Sequence, residues 1–289
     1  MVTTKKPSDI LTFLIIGAQK SGTTWLYDVL EQHPDIFLPA AKELHFYNRR
    51  DCLEAGHENY LANFVGAESY RAVGEATPNY LSGVFTTEER GHENQVTNMP
   101  GTIHADLPDI SLVVSLRNPV SRAISAFHHL HTRALLPANA KLRDCANTFG
   151  IVSFGFYAEH LKRWYEYYPE ERVCVLIFEN DIIQKASQRQ TIDRVCAHLG
   201  VPPLPPNVDL NIKSNEKLEP AMAYLNRLPF VQTRWRAKEL ARDVSKRIPR
   251  QIQNLIEPKI TQADKDFLEE TFAPHNEKLE KLLGINLPW

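Results

Sequence analysis

Three short apolar runs punctuate the first two thirds of the chain, and each leads through a loop into a helical repeat. Leu11 to Ile16 is continuous and rich in branched and aromatic side chains, the pattern of a strand covered on both faces. From Thr23 to Gln32, Trp25, Leu26, Val29 and Leu30 recur at helical spacing, and His33-Pro34 marks the stop. The same succession returns at Ile110 to Leu116, where Asn118-Pro119 opens a helix from Val120 to about His131. It returns once more at Val173 to Phe178, followed by a helical pattern from Ala186 to Leu199 that ends at Gly200-Val-Pro-Pro. Such alternation predicts an α/β chain with a central, mostly parallel sheet flanked by helices in three layers.

Three segments break the alternation: 82–107, 132–150 and 202–220. They are polar or rich in proline and long for simple connections, which suits acceptor-side lids or binding loops on the sheet's rim and equally suits plain surface insertions. From Ala221 onward the pattern is helical. The last helix, near Thr261 to Leu283, is opened by Thr261-x-x-Asp264 and closed by Gly284, with Pro274 predicting a kink or break. A single domain over 1–289 with a flexible stretch at 1–9 is the expected organisation. Lys5 and Lys6 before Leu11 imitate a secretory leader, but Gln19-Lys20 follows where a small-residue cleavage site belongs.

Composition narrows the partners. With 289 residues and 43% hydrophobic positions the chain can bury a substantial core without covalent staples. Its 33 basic and 35 acidic side chains leave a formal charge of −2, so no global field favours a polyanion and nucleic acid is not the expected partner. Any anion site must come from a local constellation. The four cysteines, Cys52, Cys145, Cys174 and Cys196, show neither a C-x-x-C pair nor zinc spacing, and point to a reducing, cytoplasmic setting. No run approaches the ~20 apolar residues that cross a bilayer.

Gly17-Ala-Gln-Lys-Ser-Gly-Thr-Thr-Trp25 is the most informative stretch. Small residues permit a tight turn, the N–H groups of the loop and of the following helix converge, and Lys20 adds a positive charge. Gly17 and Gly22 have the spacing of a nucleoside triphosphate loop, yet Thr23 stands where its lysine belongs, and Arg117 ends the second run where a magnesium-holding Asp is wanted. Lysine before Ser-Gly-Thr-Thr instead resembles the 5′-phosphosulfate loop of sulfotransferases that use 3′-phosphoadenosine 5′-phosphosulfate (PAPS). A second motif agrees: Arg117-Asn-Pro-Val-Ser-Arg-Ala-Ile-Ser125 matches the family's Arg at a strand end and Ser eight residues on, which hold the donor's 3′-phosphate. The resemblance runs from Leu11 to Trp289 and is nearest to the heparan sulfate sulfotransferase branch and its bacterial relatives. It implies a P-loop-like three-layer sandwich with a helical C-terminal part. It also implies donor contacts from Gln19, Lys20, Ser21, Gly22, Thr23, Thr24, Arg117 and Ser125, and from Trp25 against the adenine, although Trp25 equally suits the core of its helix.

On the acceptor side, Ala41-Lys-Glu-Leu-His-Phe-Tyr47 resembles the branch's Lys-Glu-x-x-Phe-Phe segment, in which the Glu is the general base. This implies Glu43 as base, with His45 as its rival because cytosolic aryl and steroid sulfotransferases use His. Gly74-Glu-Ala-Thr-Pro-Asn-Tyr80 looks like the family's Glu-Lys-Ser-x-x-Tyr, but Ala76 stands in place of the lysine that assists at the sulfuryl group. The family's late Lys-Gly-Arg loop has no match, and Lys213, which sits about where it belongs, is the candidate donor contact in its place. The resemblance therefore implies in-line sulfuryl transfer from PAPS to a hydroxyl or amine of a small-molecule or carbohydrate-like acceptor. Lys20 would stabilise the leaving phosphate, PAP (3′-phosphoadenosine 5′-phosphate) would be the product, and no metal is called for. A small-molecule kinase and a catalytically idle nucleotide-binding protein are the other readings. His128, His129 and His131 invite a metal, but adjacent helix positions diverge by about 100° and cannot readily share one coordination sphere.

Overall fold

The continuous apolar character of the first run has a simple physical outcome: strand β1, Phe13–Gly17, is buried at every position. Its side chains alternate between two cores, Phe13 and Ile15 on one face of the sheet and Leu14 and Ile16 on the other. The structure, a computed structural model, describes residues 5–82, 94–212, 219–229, 231 and 235–289. After β1 come α1 (Thr23–Leu30), β2 (Ile36–Phe37), α2 (Arg50–Glu54), α3 (Gly56–Leu61), β3 (Ala72–Ala76) and α4 (Met99–Asp106). Then follow β4 (Ser111–Leu116), α5 (Pro119–Thr132), α6 (Tyr157–Tyr165), β5 (Val173–Ile177) and α7 (Lys185–His198). The C-terminal part holds α8 (Met222–Leu225), α9 (Trp235–Arg247), α10 (Arg250–Ile256) and α11 (Gln262–Leu283).

The strands form one sheet in the order β2-β3-β1-β4-β5, with every pairing parallel. Phe13 lies opposite both Gly74 of β3 and Ser111 of β4, and Leu112 lies opposite Val173 of β5. Helices α1 and α7 cover one face through Leu26, Val29, Ile192 and Val195. On the other face Ile103, Leu161, Trp164 and Leu279 join Leu14 and Leu112. Each such side chain contributes roughly 1.5–3 kcal/mol when withdrawn from water, so the three expected layers are closed by both cores. Because β1 sits between β3 and β4, the loops leaving β1, β3 and β4 open on one rim of the sheet, the place where open α/β sheets bind ligands.

Several expectations change. Strands β2 and β3 were not among the predicted runs: β2 has two residues, and Gly74 and Glu75 interrupt the apolar signal of β3. Segment 82–107 is not wholly irregular, since α4 lies within it, started by the Asn98 side chain, which accepts the Gly101 N–H at 3.2 Å. Segment 132–150 lacks regular structure apart from a 3-10 turn at Arg143–Cys145, yet its Leu136 and Leu142 are buried against Phe127, Leu268 and Phe272, so it is packed into the fold. Within 1–9, Pro7–Asp9 forms a 3-10 turn with Pro7 buried. Lys213 lies outside the described residues. Helix α11 starts from the reciprocal Thr261–Asp264 cap and ends at Gly284 (φ 65°), and it runs through Pro274 without ending there.

Candidate functional site

The loop after β1 is pinned to the end of β4. The Ala18 N–H donates to the Ser115 carbonyl at 2.8 Å, the Ser115 hydroxyl donates to the Ser21 carbonyl at 2.7 Å, and the Arg117 guanidinium donates to the Lys20 carbonyl at 3.1 Å. Gly22 precedes α1 with φ 83°, and a Cβ there would come within 2.8 Å of the Phe178 ring. Only glycine fits that turn without displacing the aromatic. Lys20 takes a left-handed backbone, φ 66°, at the crest of the loop. The first N–H groups of α1 thus open onto a spot flanked by two cations, an arrangement suited to a phosphate or sulfate group.

Arg117 and Ser125 face the same opening. The Arg117 guanidinium stacks over the Phe178 ring at 4.9 Å, and its buried Nε has no hydrogen-bond partner among the described residues. Burial lowers the pKa of Lys20, with repulsion from Arg133 adding to it, and burial likewise lowers that of Arg117. Both cations are disfavoured by desolvation, and an anion between them relieves that cost. Two partly buried cations on one cavity system, offset in part by Glu179 beside Arg117 and Glu43 beside Lys20, fit a nucleotide bearing two anionic ends.

Three connected cavities radiate from Lys20. The largest, about 800 Å³, runs along α5 past Arg117, Ser125, His128, His129 and Arg133 to Arg242 and Lys246 of α9. A second, about 590 Å³, lies between Trp25, Phe178, Leu210 and Ile212 and includes Arg117 and Ser125. Trp25 belongs to the core beside Phe13 and also lines this slot, where its indole N–H donates to the Leu210 carbonyl at 3.0 Å. The third, about 320 Å³, holds Gln19, Thr23, Thr24, Glu43, His45 and Gln95, and shares Lys20, His129 and Arg133 with the first.

Glu43 and His45 sit on a turn in which both residues have left-handed backbones, φ 63° and 56°. The Glu43 carboxylate lies 3.3 Å from the Lys42 amine and 3.8 Å from His45 Nε2, while Lys42 also donates to the Thr24 hydroxyl at 2.9 Å. His45 Nδ1 contacts the Asn48 side-chain oxygen at 3.1 Å. The two rival bases therefore share one cavity wall within reach of each other.

Among the residues singled out from sequence, Gln19, Lys20, Gly22, Thr23, Thr24, Trp25, Glu43, His45, Arg117 and Ser125 all line this cavity system. Ser21 does not: its side chain is fully buried within the loop. Sequence reasoning did not assign Arg133 or Phe178 to the site, and weighed His129 only as a metal ligand. Arg133 caps the end of α5, at the start of the segment 132–150 whose sequence suits a binding loop and a surface insertion equally, and no motif singles it out. His129 is held neutral, its pKa pushed down to about 3 by burial and by Lys20 and Arg133. His131 instead turns away to the Ala138 carbonyl. Among the described residues no group of His, Cys, Asp and Glu is arranged to hold a metal.

The sulfotransferase domain family matches residues 11–282, and the chain belongs to that family. Human heparan sulfate glucosamine 3-O-sulfotransferase 6 is 34% identical over 165 residues, covering 54% of this chain and 43% of that protein. Human heparan sulfate glucosamine 3-O-sulfotransferase 3B1 is 30% identical over 196 residues, covering 65% and 45%. The chain spans less than half the length of these relatives. A sulfotransferase from Alicyclobacillus acidocaldarius has the same fold, with a TM-score of 0.62 at 23% identity over 96% of this chain and 97% of that one. Mouse sulfotransferase SULT7A1, complexed with PAP, has a TM-score of 0.50 at 17% identity over 95% and 87%.

Proposed function

We propose that this chain moves a sulfuryl group from PAPS to a hydroxyl or amine of a carbohydrate-like or small-molecule acceptor. One observation carries the reading: Lys20 and Arg117, on adjacent strand ends, face one cavity system that also contains Glu43. Bound PAPS would supply a sulfuryl group already attached to a good leaving phosphate. Arg117 and Ser125 hold the 3′-phosphate, Lys20 and the loop amides hold the 5′ end, and Trp25 and Phe178 flank the base. Glu43 takes the acceptor proton. A carboxylate of pKa ~4.3 is a weak base toward an alcohol, so its placement against the acceptor as the oxygen acidifies matters more than its basicity.

Arg133 is the cation that answers for Ala76, because it borders both the donor groove and the Glu43 cavity. A sugar-like acceptor is favoured by the relatives named for heparan sulfate glucosamine. A cytoplasmic setting is in keeping with the four free cysteines. Calorimetry with PAP tests the assignment. Wild type and Glu43→Gln are expected to bind PAP alike, and Arg117→Ala about tenfold to a hundredfold more weakly, the range of a charge-assisted bidentate contact. Unchanged affinity in Arg117→Ala removes the 3′-phosphate assignment.

A further inference from the structure

Glu75, at the end of β3, is fully buried and lines none of the three cavities, yet three hydroxyl groups converge on it. Tyr80 donates to its carboxylate at 2.6 Å, Thr77 at 2.8 Å and Tyr60 at 3.3 Å. Two of these hydroxyls have a second task. The Thr77 oxygen accepts the His45 N–H at 3.3 Å, and the Tyr80 oxygen accepts the Tyr47 N–H at 3.3 Å. Between them, the Ala76 carbonyl accepts the Glu43 N–H at 3.1 Å. Alternate residues of the turn, 43, 45 and 47, are thus each tied by their backbone N–H to the segment that leaves β3.

A hydroxyl rotates to suit its neighbours and either donates or accepts along a given direction. An ionised carboxylate only accepts. By accepting the Thr77 and Tyr80 O–H groups, it turns both hydrogens away from the turn and leaves a lone pair of each oxygen for the N–H groups of His45 and Tyr47, which can only donate. The turn needs such enforcement, because Glu43 and His45 both hold left-handed backbones that non-glycine residues keep only when the surroundings impose them. Phe46 and Tyr47 complete the clamp by packing against Tyr60, with ring centroids 4.2 and 5.6 Å away.

We infer that Glu75 is a positioning residue of the acceptor side: acting through Thr77 and Tyr80, it holds the turn that presents Glu43 and His45 to the cavity. Its functional part rests on the proposed sulfuryl transfer; its structural part does not. The test uses Glu75→Gln, Thr77→Val and Thr77→Ser at pH 8. Gln replaces one acceptor oxygen with an amide that donates toward Thr77, Val removes the hydroxyl at nearly constant volume, and Ser restores it. Amide hydrogen exchange read by NMR is expected to speed up about tenfold or more at His45 in Thr77→Val and in Glu75→Gln, and to stay near wild type in Thr77→Ser. Sulfate release from radiolabelled PAPS, with water as acceptor, is expected to fall about tenfold to a hundredfold in the first two variants. PAP affinity by calorimetry should stay within twofold, and Thr77→Ser should recover the rate. Should Glu75→Gln fail to fold, the Val and Ser pair decides alone. Unaltered His45 exchange in Thr77→Val overturns the inference. A wild type that ignores PAP overturns the sulfotransferase reading while the exchange result still stands.

Discussion

Lys20, Arg117 and Arg133 bring three positive charges to one opening, and the energetics of each depends on the anion expected there. Arg133 is exposed and repels Lys20, so it is tolerated without a ligand and effective with one. Arg133→Ala is expected to slow sulfate release from PAPS about tenfold, below the range of a fully enclosed donor because water competes, with PAP affinity moving less than threefold. Initial rates and calorimetry check the split; an unchanged rate removes Arg133 from the site. Glu75 makes a different prediction. Burial pushes its pKa from 4.5 up to about 7, although its three hydroxyl partners favour the charged form. Between those values the folded chain keeps a proton that the unfolded chain has released. Its contribution is therefore fully present below about 4.5 and lost as pH rises through about 7, on the order of 3 kcal/mol. His160 works in the opposite sense, since burial pushes it down to about 4 and its contribution is lost as pH falls toward that value. The melting temperature of wild type relative to Glu75→Gln isolates the carboxyl and should fall from pH 5 to pH 8; a constant difference overturns the assignment. Nothing in the sequence marked Glu75 as buried, because a lone acidic residue in a short run reads as a strand end in water.

At the scale of elements, the β1 loop and α1 show how local chemistry and packing meet. The small residues of the loop announced a tight turn, and the left-handed Gly22 before α1 is its backbone expression. What the run of residues did not disclose is that Phe178, from the π-helical turn Phe178–Ile183 after β5, fills the space beside Gly22 and under Arg117. Gly22→Ala is expected to cost more than about 1 kcal/mol by urea denaturation and to weaken PAP at least tenfold, since the added methyl both opposes φ 83° and displaces the ring. Retained PAP affinity in a folded variant shows that the loop is not the phosphate site. The long elements were legible because 3.6-residue periodicity accumulates over several turns, as in α5, α7 and α11. Strand β3 was not, because its Gly74 gives way to Phe13 of β1 and its Glu75 is matched by hydroxyls from Tyr60, Thr77 and Tyr80, contacts that no window of sequence contains.

At the scale of the whole molecule, strand order converts separate motifs into one site. The chain leaves β1, forms β2 and β3 on one side, and only then returns to place β4 on the other. The loop carrying Lys20 and the strand end carrying Arg117 become neighbours across about a hundred residues, and the end of β3 brings Thr77 beside the Glu43 turn. A ligand bridging β1 and β4 should stabilise the fold as a unit. PAP at a hundred times its Kd is expected to raise the melting temperature by about 5 °C or more. ATP should do little, and a chelator should not diminish the PAP effect. A larger shift with ATP favours the kinase reading.

The candidate donor half of the site was readable from residues alone, because the phosphate site proposed there is built from contiguous loops whose backbone geometry follows from glycines, a lysine and a helix start. The sulfotransferase resemblance and the parallel α/β architecture were readable for the same reason: both are patterns of neighbouring positions. The acceptor half was assembled by packing. Whether Glu43 and His45 share a wall, whether Arg133 reaches Lys20, and what holds a turn with two left-handed residues all depend on contacts between segments 30 to more than 100 residues apart in the chain. Such contacts leave no periodic trace, because each is a matter of which side chains the sheet order brings within hydrogen-bonding distance.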